Sequence, residues 1–401
     1  MRGHNLKDTI LALCDDLGPR VVDIRRALHR IPEPSFGEHK TQAKICSYLK
    51  TDGITFRRVA GTTGVLGLVK GSGESAIALR ADMDALNVAE KTGVPFASRH
   101  KGHMHACGHD AHMAMILGAG MVLRRLGGDL PGQVRLIFQP GEETPPGGAL
   151  AMIRSGALRR PRVRAIIGTH VDPAIRVGKV AVNSGPISAS ADDFSITIEG
   201  VGGHGSSPHK AVDAIVVAAH LITQIQTIVS RRVGPLESVV VSIGRITGGE
   251  RSNVIADRVE MEGTLRTKSA LRRRQVPRWI KRMVASTCSA FGAKGRFDHI
   301  PGYPAVYCDD RFSALVSSAC SEILGRSSTT TSPGLEMGGE DFAYYAEKVP
   351  GTMIFIGVGN PKKGKVHFLH HSEFDIDEDA LKVGMAAVAY SAYRFLAAGR
   401  V

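Results

Sequence analysis

Apolar residues recur at helical spacing through VVDIRRALHRI, residues 21–31, and PEPSFGEH then ends the helix that this spacing predicts. A second helix is predicted from Ala111 to Leu126, closed by Gly127 and Gly128. Short apolar runs predict strands at Ser75–Leu79, Gln133–Phe138 and Ala165–Ile167. Each strand leads into a polar cluster: RADMD, GEE and Gly168-Thr169-His170. Strands alternating with helices predict an α/β sheet. Open sheets of that class place their ligand sites just beyond the strand ends, which is where these clusters fall.

From about residue 187 the pattern changes. Strands are predicted at Phe194–Ile198, Val239–Ile246, Val259–Arg266 and Gly295–His299, with helices at Ala211–Val229 and Ser269–Phe291. The order βαββαβ is the ferredoxin-like arrangement, and a self-contained unit of that kind reads as an insertion. Helix, strand and helix resume from about residue 305. The predicted organisation is a catalytic domain in two parts, 1–186 and 304–401, interrupted by a smaller domain at 187–303.

Composition narrows the class. A chain of 401 residues with 43% apolar content has material for two full cores. The formal net charge is +13, but the basic residues are scattered and RRVGP and LRRRQ read as solvated helix ends. Without an aromatic-interleaved basic patch, nucleic acid is not the predicted partner; a bias toward small anionic substrates is. Asp8, Asp15 and Asp16 interrupt any signal-peptide core, and no apolar run is expected to reach the ~18 residues that span a membrane. The six cysteines form no CxxC and no spaced framework. The expected setting is therefore reducing and cytoplasmic, with no membrane partner.

One stretch demands chemistry. HMHACGHDAHM, residues 103–113, packs four histidines, a cysteine and an aspartate together. Cys107 and His109 are two apart, so an extended backbone would direct both to one side. A thiolate and an imidazole suit a borderline metal such as Zn²⁺, although core packing or a free thiol explains the pair equally. Glu142 and Glu143, in FQPGEETPPGG, read either as solvated charges or as a metal ligand beside a proton acceptor. His170 and His370 add two candidates after further strand-like segments.

Taken together, the motifs resemble the M20 metallopeptidase family, in its aminoacylase, hippurate-hydrolase and auxin-conjugate amidohydrolase branch. The resemblance runs nearly end to end, through LHRIPEPSFGEHKT, LRADMDAL, HACGHDAHM, FQPGEE, GTHV, GGHGSSPH, SNVIADRVEMEGTLRT, MGGEDFAYY and LHHSEFD. It implies a di-metal peptidase-like α/β catalytic domain with the inserted ferredoxin-like domain serving as lid and dimerisation domain. It implies a homodimer or homotetramer.

Carried onto this sequence, the resemblance implies Cys107, His109, Glu143, His170 and His370 as ligands of two divalent metal ions, with Cys107 shared. Zn²⁺ is the first expectation, with Mn²⁺, Co²⁺ or Ni²⁺ as alternatives. Glu142 matches the general base that takes a proton from the bridging water and passes it to the leaving amine. His204 matches the residue that steadies the oxyanion, within the chain or across the dimer. Asn253, Arg266 and Gly338 match substrate-binding positions, the guanidinium suiting an α-carboxylate. Asp84 and Asp110 are expected to orient ligand histidines, and Glu340 and Asp341 to cap a helix.

Three positions depart from the pattern: Asn87 and Ala256 stand where proline is usual, and GEETPPGG is one residue longer than usual. None is a proposed ligand. His371 beside His370 makes the fifth ligand ambiguous by chemistry alone; the resemblance favours His370. The implied activity is hydrolysis of N-acyl or N-aroyl amino acids. The alternatives are a carboxypeptidase or dipeptidase on short peptides, an N-acetyl-diaminopimelate deacetylase, a non-catalytic binding protein, and a thiol redox enzyme that would need a resolving cysteine.

Overall fold

The apolar runs Gln133–Gln139, Ala76–Asp82, Val163–Arg176 and Gly351–Gly359 lie side by side and mutually parallel as the middle of an eight-stranded sheet. Thr55–Arg58 and Val65–Val69 extend it on one side, and Val180–Val182 and Thr329–Thr330 on the other. Three of the middle strands are buried along almost their whole length, as expected of parallel strands covered on both faces, while Val163–Arg176 is partly exposed toward its end. The computed structural model describes residues 6–331 and 337–399. The chain divides into two units: one runs to Gly185 and resumes at Tyr307 and Asp341, and the other spans Pro186–Val306 with a short stretch ending at Glu340. The expected domain ends at residues 1 and 401 lie outside the described residues.

Several elements differ from the sequence expectation. The first helix is Leu6–His29, far longer than residues 21–31, because Ile10, Cys14, Leu17, Val21, Ile24 and Leu28 form one buried stripe that passes straight through Pro19. A helix at His39–Thr51 was not expected from the pattern. The strand expected to end before His170 continues to Arg176, because Gly351–Gly359 pairs with it as far as Arg176.

In the second unit, four strands order themselves Val239–Gly248, Arg258–Thr267, Ser190–Glu199, Lys294–Tyr303, all antiparallel. The helices Ala214–Thr227 and Ala270–Ala290 pack their apolar residues into the same core cluster as Phe194, Ile196, Val241 and Val259. The stretch Ala214–Arg232 is long and apolar enough by composition to cross a membrane, which corrects the expectation of no such run. Ala214, Val217, Ala218, Leu221 and Ile225 nevertheless sit buried in the core of this unit, while Ile215, Val216 and Val229 are exposed.

A buried ion cluster fixes the start of the His109–Leu126 helix against the first helix. Arg25 donates to Asp110 at 2.9 Å, to Asp375 at 2.6 Å and to Glu378 at 3.1 Å. His29 contacts Asp110 through Nδ1 at 2.8 Å and Glu90 through Nε2 at 3.2 Å. Asp110 thus serves His29 and Arg25, not the ligand histidine it was expected to orient. Against the cost of burial, Asp110 and Glu90 hold a proton on His29 and raise its pKa from 6.5 to about 9. A folded-state pKa above the unfolded value stabilises the fold below pH 6.5, and that contribution fades as pH rises through about 9. The stability difference between the native chain and His29→Gln, measured by urea unfolding, should therefore be largest near pH 6 and shrink toward pH 9.5; a difference that grows with pH would contradict this assignment.

Candidate metal centre

Five donor side chains from four chain segments converge within the first unit. Cys107 sits in the turn before the His109–Leu126 helix, and His109 is that helix's first residue. The pair is not extended, as the two-residue spacing suggested. Gly108 between them adopts φ +80, and a Cβ there would meet Val171 Cγ2 at 2.5 Å, so only glycine allows this approach. Glu142 and Glu143 follow the Gln133–Gln139 strand, His170 lies within Val163–Arg176, and His370 sits on a C-terminal loop with φ 67, a conformation rare for a residue with a side chain.

The donor atoms form two overlapping groups that share Cys107. Cys107, His109 and His170 make one; Cys107, Glu143 and His370 make the other; in each, the ligand atoms lie within 4.8 Å of one another. Cys107 Sγ is 3.6 Å from His170 Nε2. Glu143 Oε1 is 3.4 Å from His370 Nε2 and 3.9 Å from His109 Nε2. Glu142 also lies close, in a group with His109 and Glu143.

Each of two histidines is held in the tautomer that frees Nε2. His109 Nδ1 donates to the Asp84 carbonyl oxygen at 2.9 Å, and His170 Nδ1 donates to the Val171 carbonyl oxygen at 2.8 Å. Among the described residues, His109 Nε2 and Glu143 Oε1 are buried without a hydrogen-bond partner. Buried polar atoms without partners are costly, and two of them facing a thiol and two further imidazoles fit a cation site. The electrostatics agree. Burial and Glu143 push the Cys107 thiol up. The Cys107 and Glu143 side chains hold a proton on His370 and raise its pKa to about 10. Against burial, His370 and His109 hold the Glu143 carboxyl below its usual range. The donor set draws positive charge into its centre, as a cation site does.

Asp84 does more than the sequence suggested. Its backbone oxygen orients His109, while its carboxylate accepts the backbone N–H of Glu142 at 3.0 Å, that of Glu143 at 2.9 Å, and the Ser35 hydroxyl at 2.7 Å. The Asp341 side chain does not cap the Ala343–Ala346 helix that follows it. It is buried and accepts from Arg80, from Gln139 and from the Ala149 backbone N–H. Arg80, Gln139 and Ser35 were missed from sequence. A charged residue inside an apolar strand run, as in AIALRAD, was the available signal for Arg80.

The other expected site residues lie in the second unit. His204 is exposed on a two-residue strand paired with Val254–Ile255. Its Nδ1 accepts from the Ser206 backbone N–H at 3.1 Å, which leaves the ring proton on Nε2 as a donor. The Asn253 carbonyl oxygen accepts from Gly205 N–H at 2.8 Å. Arg266 lies on the Arg258–Thr267 strand, where Nη1 donates to the Asp192 and Leu265 carbonyl oxygens at 3.4 and 3.2 Å. Gly338 is exposed, accepts from Ala189 N–H, and has open space where a Cβ would stand, so crowding does not account for the glycine.

Comparison with known proteins agrees with this chemistry. The sequence pattern of peptidase family M20/M25/M40 matches residues 78–394. N-acetyl-L-cysteine deacetylase of Bacillus subtilis is 42% identical over 381 residues, covering 95% of this chain and 89% of its own. Thermostable carboxypeptidase 1 of Saccharolobus solfataricus is 37% identical, covering 94% and 95%. Among solved structures, a Bacillus subtilis protein described as a dinuclear metal binding peptidase from the M20 family superposes with a TM-score of 0.83 at 36% identity, covering 96% of this chain and 99% of its own.

Removal of the shared thiol gives a direct check. Cys107→Ala should lower bound metal below the native amount, measured by elemental analysis after dialysis; unchanged stoichiometry would refute a shared thiolate.

Proposed function

This chain belongs to peptidase family M20/M25/M40, and from that premise we propose that Cys107, His109, Glu143, His170 and His370 hold two divalent cations beside the general base Glu142. The chain is a metal-dependent amidohydrolase. The proposed substrates are N-acyl or N-aroyl amino acids. The observation that carries this reading is the convergence of a thiol, three imidazoles and two acids, with the buried His109 Nε2 and Glu143 Oε1 lacking hydrogen-bond partners among the described residues. One thiolate with three imidazoles and a carboxylate favours Zn²⁺, with Mn²⁺, Co²⁺ and Ni²⁺ as chemically acceptable substitutes.

When bound, two such cations acidify a water molecule and polarise the amide carbonyl. Glu142, buried next to Glu143, is the group that takes the water proton. The oxygen of that water bonds to the acyl carbon, the C–N bond breaks, and Glu142 returns the proton to the leaving nitrogen. His204 offers Nε2–H to the oxyanion. Among the described residues the Arg266 side chain donates only through Nη1, which supports its remaining N–H groups as a clamp for the α-carboxylate, with Asn253 and Gly338 read as part of the same subsite.

We read the four-stranded second unit, with its βαββαβ order, as the ferredoxin-like lid and dimerisation domain at 187–303, inserted between catalytic segments 1–186 and 304–401. Its exposed Ile215, Val216, Val229, Val240, Ile246 and Val254 support pairing of two chains. The second reading, a carboxypeptidase or dipeptidase, is favoured by the carboxypeptidase relative; an N-acetyl-diaminopimelate deacetylase stays within the same chemistry.

Glu142→Gln should retain bound metal yet lose turnover by a factor of about 10² or more, the scale of lost proton transfer. The assay is amino-acid release from hippurate, N-acetyl-amino acids, benzyloxycarbonyl-amino acids and dipeptides after Zn²⁺, Mn²⁺ or Co²⁺ is restored to chelated protein. Full activity in the variant would remove Glu142 as the base, and faster release from dipeptides than from every acyl substrate would favour the peptidase.

A further inference from the structure

The HMHACGHDAHM stretch contains a histidine that neither the ligand set nor the base requires. His112 lies one turn beyond His109 on the same helix and is fully buried. Its Nδ1 is 2.7 Å from Asp82 Oδ1, and its Nε2 accepts the backbone N–H of Val171 at 2.9 Å. A backbone N–H can only donate, so Nε2 is the acceptor and the ring proton sits on Nδ1, directed at the Asp82 carboxylate. Asp82 is itself held by Arg80 at 2.7 Å. Asp82, His109 and His112 lie close enough together to suggest a cation site of their own. With both ring nitrogens engaged, however, His112 has no lone pair to give a metal.

The topology explains why a side chain is needed there. The strand Ala76–Asp82 pairs with Val163–Arg176 only as far as Gly168. Val171 lies past that ladder, and its amide finds an acceptor in His112. The carbonyl of the same residue accepts from His170 Nδ1 at 2.8 Å. The two peptides flanking Val171 therefore connect His112 to His170, and the two rings are 4.6 Å apart.

We propose that His112 is a positioning residue, a neutral imidazole strut between Asp82 and the Val171 amide that sets the direction of His170 Nε2 toward its cation. This rests on the two-metal reading above, in which His170 is a ligand. His112 acts through the Val171 backbone and touches neither cation nor substrate.

The test uses the full chain, with Zn²⁺ as the probe. Zinc affinity is measured by chelator competition for the native protein, His112→Leu and His112→Gln, beside the melting temperature of each metal-free protein. In His112→Leu, one of the two zinc equivalents should weaken roughly 10–100-fold, the usual cost of losing a group that orients a ligand. His112→Gln should recover most of that loss, since one amide can donate to Asp82 and accept from Val171. Two native-affinity zincs in His112→Leu would overturn the proposal, as would equal loss of both zincs in the two variants. A native chain that binds no zinc would instead overturn the two-metal reading itself. Should His112→Leu not fold, ¹⁵N-histidine spectra of the zinc-loaded native protein decide: His112 protonated on Nδ1 with Nε2 metal-free supports the strut, and a metal-bound Nε2 or an imidazolium refutes it.

Discussion

Everything at the centre hangs on the environment of Asp84. This residue lies two positions beyond the Ala76–Asp82 strand and binds four others, Ser35 among them. Its carbonyl fixes the ring of His109, and its carboxylate takes the backbone N–H groups of both Glu142 and Glu143. A buried carboxylate is costly unless its oxygens are paired, and here the Ser35 hydroxyl and the backbone N–H groups of both glutamates pair them. Against the cost of burial, His109 and those backbone donors hold its pKa below the ordinary carboxylate range, so it stays ionised and keeps accepting. Loss of that charge would release the glutamate loop and the histidine together.

Behind Asp84 lies a second layer of buried charge. Arg80 is fully buried and donates to Asp82, to Asp341 and to Gln139. Asp82 in turn engages His112. A guanidinium placed at the C-terminal end of a central parallel strand satisfies two buried carboxylates at once, and its planar fork suits that geometry. Removing either partner from such a network leaves an uncompensated charge. The rigidity this gives is what a metal centre requires: donor atoms held in place before the cation arrives.

The proposed ligand residues were legible because they stand in short polar motifs whose order and spacing resemble the family to which the chain belongs. Glu142 and Glu143 follow a strand as the alternating pattern indicated, whereas Cys107 precedes a helix and His170 lies within a strand that continues to Arg176. What the sequence hid was backbone chemistry. Nothing in CGH announces that Gly108 adopts a left-handed turn, and nothing in RADMD tells that Asp84 acts through its carbonyl on His109 and through its carboxylate on the glutamate loop. Asp110 looked like a partner for a ligand histidine and instead balances Arg25, a residue 85 positions away. Such pairings depend on which helices pack together, and local periodicity carries no record of that. The first helix differs for another reason: the predicted spacing covers only residues 21–31, whereas the buried stripe begins at Ile10 and runs through Pro19.

The central claim is that five named side chains hold two cations. Anomalous diffraction from crystals of the Zn²⁺-loaded chain tests it most directly. Two peaks are expected, one bounded by Cys107, His109 and His170, the other by Cys107, Glu143 and His370, with His112 touching neither. A single peak, no peak at this position, or zinc bound to His112 and Asp82 would contradict it.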